Sequence, residues 1–190
     1  MEKPEIPFQF VGNDLSLDLI NTRVMFEGEM VDLIEARDRL DAWLNEVSNV
    51  TPVKHWTASD IAALHALRDA CQSVLHAQFS GAQANPRDLG LINSHLKEIG
   101  AASHLTQTVN GFAMAADNAN LSPRAFLAKV VQSFATLLTE TDPKRIRECA
   151  HDQCVLVFKD ISKSGRRRWC SMETCGNRAK AATFRATSHN

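Results

Sequence analysis

Four cysteines crowd the last quarter of this 190-residue chain. Cys149 and Cys154 form one pair, and after fifteen residues Cys170 and Cys175 form a second with the same four-residue spacing. Each pair is short enough for both thiolates to reach one ion, and in a reducing compartment such clusters are metal sites more often than disulfides. Four thiolates suit one tetrahedral Zn2+ per chain, in a closed structural geometry with no open position for water. The fifteen-residue gap fits a short hairpin that brings the pairs together. His151 sits inside the first pair and could replace one sulfur. The fifth cysteine, Cys71, shares the apolar face of a predicted helix with Ile61, Leu64, Leu67, Val74 and Leu75 and reads as a small buried hydrophobe.

Positive charge surrounds the cysteines. From Lys144 to Asn190 there are 11 basic and 4 acidic side chains, against 10 basic and 18 acidic from Met1 to Pro143. A basic tail on an acidic body points to an anionic partner, or to attraction between the two parts. Lys163, Arg166, Arg167 and Arg168 cluster on a predicted turn, and Arg178, Lys180 and Arg185 follow on a predicted helix. Arg178 and Arg185 are seven apart and share a helix face, while Lys180 points elsewhere. Arginine suits phosphates and guanine edges, so these six arginines and lysines from Arg166 to Arg185 are candidate DNA contacts. The alternatives are a solvated basic face and a dock for the acidic body. Trp169 precedes a metal ligand and is read as packing beneath the site. Asn177 is read as a metal-site support that bonds a nearby carbonyl or a ligand sulfur. Asp160 with Ser162 makes an Asx-type turn.

Enzyme chemistry finds little footing. The chain lacks HExxH, GxGxxG, Gly-x4-Gly-Lys-Ser/Thr and Gly-x-Ser-x-Gly. Zinc held by four cysteines does not activate water unless a ligand leaves. His55, His65, His76, His95 and His104 are scattered without ligand spacing. Asp18, Asn21 and Arg23 could line a polar pocket, but capping and tertiary hydrogen bonds explain them as well. The chain is therefore read as a non-enzyme.

The elements that position these residues fall into two parts, 1–141 and 142–190. In the first, Phe8 to Val11 is predicted as a short strand and Asp14 to Thr22 as a capped helix. Leu33, Ile34, Leu40, Trp43, Leu44 and Val47 predict a helix from Asp32 to Val47. Thr57 and Asp60 resemble a capping box for a helix reaching Phe79. Pro86 opens a helix carrying Leu89, Ile92, Leu96 and Ile99, and Ser122-Pro123 opens one with a broad stripe from Phe126 to Leu138. Between them Asn110-Gly111 predicts a hairpin that joins Leu105, Gln107 and Val109 to Phe112, Met114 and Ala116. In the second part Ile146 to Cys149 and Val155 to Lys159 are predicted strands, Ser162 to Gly165 a turn, and Ser171 the cap of a helix to about Ala186. The fold class is α+β, mostly α: a helical body with a small hairpin, plus a treble-clef-like or ribbon-like zinc finger.

Apolar residues make up 44% and charged residues 23%, as in ordinary globular proteins. No apolar run reaches the length of a membrane span, and Met1 to Phe10 lacks the pattern of a secretory signal. A cytoplasmic location is the expectation.

Arg168-Trp169-Cys170-Ser171-Met172 followed by Cys175-Gly176-Asn177-Arg178-Ala179-Lys180 resembles the CGNR zinc finger, with Phe158, Asp160 and Ser162 at matching places. Val155 departs from that pattern, which has a small residue after the second cysteine. Phe10-Val11-Gly12, Leu17-Asp18, Asn21-Thr22, Asp32-Leu33 and Trp43-Leu44 resemble the ABATE domain that precedes such fingers. The resemblance implies structural zinc and a bacterial, stress-linked transcription regulator. The finger would bind DNA, and the helical part would sense a ligand or set a homo-oligomeric state. The competing reading is a zinc-stapled module for protein or RNA partners.

Overall fold

A computed structural model describes residues 6–47, 56–97, 103–108, 111–116 and 122–187. Asp14 starts the first helix, α1 (Leu15–Ile20), as its carboxylate accepts from the amides of Ser16 and Leu17, satisfying donors that a helix start leaves unpaired. The segment from Phe8 to Val11, predicted as a strand, joins no ladder. Instead Arg39 lies over the Phe8 ring at 4.3 Å, and the next residues reach the finger, where the Gly12 carbonyl accepts from the Lys159 amide at 2.8 Å.

A hairpin that the sequence reading missed follows: β1 (Arg23–Phe26) and β2 (Glu29–Asp32) are antiparallel, with Val24 opposite Val31. Its two-residue link, Glu27-Gly28, has φ of +49° and +86°, the paired positive angles of a tight hairpin turn. The helix expected from Asp32 accordingly begins later, as α2 (Arg37–Val47). Asp32 is otherwise engaged. One oxygen accepts from the Ile34 amide at 3.1 Å and from Arg68 Nη1 at 2.8 Å, while Arg68 Nη2 bonds the other. Arg68 is fully buried and also donates to Thr22 Oγ1 at 2.8 Å. Burial alone would raise the Asp32 pKa, but the Arg68 guanidinium holds it below the usual carboxylate range.

Thr57 and Asp60 form the capping box that starts α3 (Ala58–Ser80). Asn85 caps α4 (Pro86–Leu96), and Ser122 caps α5 (Pro123–Glu140), both with proline in the first turn. Between α4 and α5, β3 (Ser103–Thr108) pairs with β4 (Gly111–Ala116). An Asn110-Gly111 turn would set Val109 against Phe112, but the register sets Thr108 against Gly111 and Gln107 against Phe112. Val109, Asn110 and Ile99 themselves lie outside the described residues. The faces that the periodicity predicted close on one core: Leu19 and Ile20 of α1, Leu40 and Trp43 of α2, Leu64, Leu67 and Cys71 of α3, and Val130, Val131 and Phe134 of α5. Trp43 and Trp56 both meet the Phe126 ring edge-on, at 6.1 and 5.9 Å. Among the described residues, no helix is long and apolar enough to cross a membrane.

Beyond Pro143–Arg145, a single 3-10 turn, β5 (Ile146–Glu148) and β6 (Val157–Lys159) form a third antiparallel pair. A five-residue π-helical turn (Met172–Gly176) capped by Ser171 leads into α6 (Asn177–Thr187). This terminal part shares apolar contacts with the body. Ile146 and Val157 belong to the core of the helical body, and Val24 and Leu33 belong to a second cluster built around the cysteines. Polar contacts join the same edge. The buried Asn21 side chain donates to the Val157 carbonyl and accepts from its amide, both at 2.9 Å. Asn21 thus takes the place of a strand partner for β6. Asn13, at φ +55°, adds a bond to the Lys159 carbonyl at 3.0 Å.

Candidate metal centre and basic face

The four predicted ligands converge. The sulfurs of Cys149, Cys154, Cys170 and Cys175 all lie within 4.8 Å of one another, with Cys154 to Cys170 at 3.7 Å and Cys170 to Cys175 at 3.6 Å. A tetrahedron with Zn–S bonds of about 2.3 Å places its sulfurs roughly 3.8 Å apart, whereas a disulfide needs about 2.05 Å. The cysteines are free, and their spacing fits one zinc ion. The β5–β6 hairpin brackets the first pair rather than filling the fifteen-residue gap, which holds β6 and the loop after it. The second pair straddles the start of the π-helical turn that leads into the terminal helix, giving the treble-clef-like order. His151 stands outside the cluster of four sulfurs, and its Nδ1 accepts from the Gln153 amide at 3.1 Å. Cys71 is buried in the body core, its thiol pushed up to about 12 chiefly by burial.

The cluster's electrostatics call for a cation. The Cys170 thiol donates toward Cys154, which draws Cys154 down to about 5 and pushes Cys170 up; burial and neighbouring charge raise Cys170 further. Burial is the main cause that pushes Cys149 up. A divalent ion bound among these sulfurs would stabilise the thiolates that burial and neighbouring charge otherwise disfavour at Cys149 and Cys170. Backbone support is built in, since the Cys170 amide points at Cys149 Sγ, 3.4 Å away.

The loop between β6 and Trp169 is held from beneath. Asp160 is buried and accepts from the amides of Ser162 at 2.9 Å and Arg167 at 2.8 Å. Burial would raise its pKa, yet these bonds and the Arg147 charge bring it down to about 2. Arg145 donates to the carbonyls of Asp160 and Ser162, both at 3.0 Å. Arg147 donates to the Gly165 carbonyl at 2.9 Å. Neither arginine drew attention in the sequence, because an arginine on a short turn or strand that binds loop carbonyls has no local signature.

The predicted nucleic-acid residues divide into two groups. Arg166, Arg168 and Lys180 are exposed, with Arg168 lying over the Trp169 ring at 4.9 Å. Arg185 is exposed on α6. Arg167, by contrast, is turned inward. Its guanidinium donates to the carbonyls of Trp169 and Cys170 and lies over the Phe158 ring at 4.4 Å. Arg178 is exposed as well, yet its Nη2 donates to Cys175 Sγ at 3.1 Å. Asn177 takes the role expected of it, donating to the Glu173 carbonyl at 3.0 Å. Trp169 packs beside the cysteine cluster, as read from the sequence, and also stands between two grooves. One, of about 290 Å³, is walled by Arg166, Arg168 and Met172; the other, of about 540 Å³, by His151, Arg178 and Arg185.

Two family profiles account for this arrangement. The ABATE profile, described as "Putative stress-induced transcription regulator", matches residues 13–141. The chain belongs to the ABATE family. The profile of the CGNR zinc finger matches residues 145–187, which contain all four ligands. In this ABATE protein the zinc-binding residues and the helical body thus fall under separate profiles while sharing apolar cores. No curated protein matches the chain.

Proposed function

We propose that this protein is a bacterial cytoplasmic transcription regulator whose finger binds DNA phosphates through Arg166, Arg168, Lys180 and Arg185. The observation that carries this reading is the exposed basic rim around Trp169, on a loop held by Asp160 and Arg145 and followed directly by the cysteine cluster. Arg167 leaves the contact set because its guanidinium serves the carbonyls of Trp169 and Cys170, and Arg178, although exposed, leaves it because its guanidinium bonds the Cys175 sulfur. The helical body supplies control. A cleft of about 430 Å³ lies between α3 and the finger strands, with Asp69, Gln72 and His76 on one wall and Glu148 and Val155 on the other. A small effector seated there would touch both parts at once. In this reading 1–141 and 142–190 are two functional parts of one folded unit, and a homodimer supplies the second half-site that a module this small needs for tight binding.

The test is a titration of zinc-loaded protein into labelled duplex DNA at 50 and 200 mM salt. Four phosphate contacts give a slope near −3.6 in log affinity against log salt, a loss of roughly 150-fold across that range. Replacing Arg166 and Arg168 by Gln should lower the slope by about two without changing zinc content. Absence of binding at 50 mM salt would refute the DNA reading. A second reading has its own support, since Ile161, Met172 and Phe184 are apolar and 66%, 49% and 72% exposed on the finger. Nuclease-resistant capture of a partner through these three residues would favour a protein-docking module.

A further inference from the structure

We infer that Arg178 is a positioning residue of the zinc centre, which shields the Cys175 thiolate, and not a phosphate contact. Zn2+ bound by four thiolates carries two excess negative charges, and those charges sit on sulfur. A sulfur that accepts an N–H bond from a fixed cation is less nucleophilic, so it stays on the metal. Arg178 meets that requirement through its place in the chain. Cys175 lies in the π-helical turn, Arg178 lies three residues later in the first turn of α6, and its Nη2 stands 3.1 Å from Cys175 Sγ. Arg178 also lines a cavity of about 220 Å³ together with Cys154, Cys170 and Cys175. Its guanidinium therefore shields the cluster on the side of that cavity.

The three residues after Cys175 then have distinct duties. Gly176 leaves room: a Cβ there would come within 2.6 Å of Met172 Sδ and 3.2 Å of Trp169 Cδ1. Asn177 binds the Glu173 carbonyl and fixes the turn that carries Cys175. Arg178 completes the set by compensating charge on the ligand itself. The side chain sits among basic neighbours, Arg168 and Arg185, and from sequence is indistinguishable from them; only its distance to sulfur separates it.

The experiment compares full-length zinc-loaded wild type with Arg178→Gln and Arg178→Lys. Zinc is competed away with a chelating dye, and iodoacetamide labelling is mapped by mass spectrometry. Arg178→Gln should weaken zinc about 10- to 100-fold, the range for lost support of a metal ligand, and should make Cys175 the fastest-labelled ligand. Arg178→Lys should fall between, since its ammonium restores charge without the fork. With Co2+ in place of zinc, the sulfur-to-cobalt absorption should shift in Arg178→Gln, which a merely structural role would not produce. Wild-type zinc competition and wild-type labelling in Arg178→Gln, with a DNA salt slope lowered by about one, would overturn the inference and return Arg178 to the phosphate contacts. If Arg178→Gln does not fold, Arg178→Lys decides: faster Cys175 labelling than wild type supports the inference, and an unchanged rate refutes it.

Discussion

Replacing Asn21 by Ala tests whether the finger is a bound part of the body or an appendage. The Asn21 amide makes two 2.9 Å bonds to Val157, one as donor and one as acceptor. Both residues are buried, at 2% and 5% exposure. Truncation leaves a buried N–H and a buried C=O without partners, and each such orphan costs about 1–3 kcal/mol. A total of about 4 kcal/mol is expected, a large share of the roughly 5–15 kcal/mol that holds a typical domain folded. With a urea m-value of about 2.5 kcal/mol/M, the midpoint should fall by about 1.5 M. The assay is urea unfolding of the zinc-loaded protein, followed by far-UV circular dichroism for the body and by zinc release to a dye for the finger. Because Val157 lies in the body core, both probes should move together in one transition. A midpoint shift under about 0.3 M would refute the reasoning. So would zinc release moving alone while the helical signal stays at the wild-type midpoint.

Four further outcomes follow from the same structure. Gly12→Ala would place a Cβ 2.7 Å from Leu17 Cβ and 3.0 Å from the Asp18 amide nitrogen; overpacking of about 2–3 kcal/mol should appear as a lower urea midpoint. Arg68→Met should cost about 3 kcal/mol, at the low end for a broken buried pair because the Asp32 side chain keeps 20% exposure, and Arg68→Met with Asp32→Asn should recover part of that loss in the same melts. Asp18 is raised to about 6, chiefly by burial. Its folded form then holds a proton that the unfolded chain has lost, so its contribution is greatest below about pH 4 and disappears as pH rises through 6. Asp18→Asn keeps an acceptor for the Gly12 amide, and its Tm relative to wild type should rise between pH 5 and 7.5. Finally, Cys170→Ser or zinc chelation should lower the Tm of the helical signal as well as loosening the tail to proteases; a body Tm indifferent to zinc would contradict the shared core.

What the sequence revealed was local. The cysteine spacing, the Thr57 capping box, the proline starts at Pro86 and Pro123 and the stripe from Phe126 to Leu138 each carry their signal within a few residues, and each is present in the structure. The β1–β2 hairpin escaped because Glu27-Gly28 lacks the usual Asn or Asp before glycine, and because Leu33 and Ile34 extend the periodicity of α2 backwards. Arg68 was hidden on a helix whose apolar face it shares, and its partner Asp32 is 36 residues away. The link between Asn21 and Val157 spans 136 residues, far outside any pattern that periodicity can register. Charge was misleading in a different way. Composition gave the finger its basic character correctly, but a count of arginines does not say which guanidiniums face solvent.

That distinction bears on how the finger can act. Of the six basic residues predicted to meet DNA, Arg167 fastens the carbonyls of Trp169 and Cys170, and Arg178 touches the Cys175 sulfur. The rim left for a partner is carried by a loop whose geometry depends on Asp160, Arg145 and the metal ligand that follows it. Loss of zinc would release Cys170, and with it the carbonyl that Arg167 holds, so Arg166 and Arg168 would lose their fixed relation to α6. The body is bound into the same chain of contacts through Asn21, Gly12 and Val157. A change in the cleft between α3 and β5 therefore has a physical route to the basic rim. That route is the β6 strand, paired on one edge with β5 and on the other with the Asn21 amide.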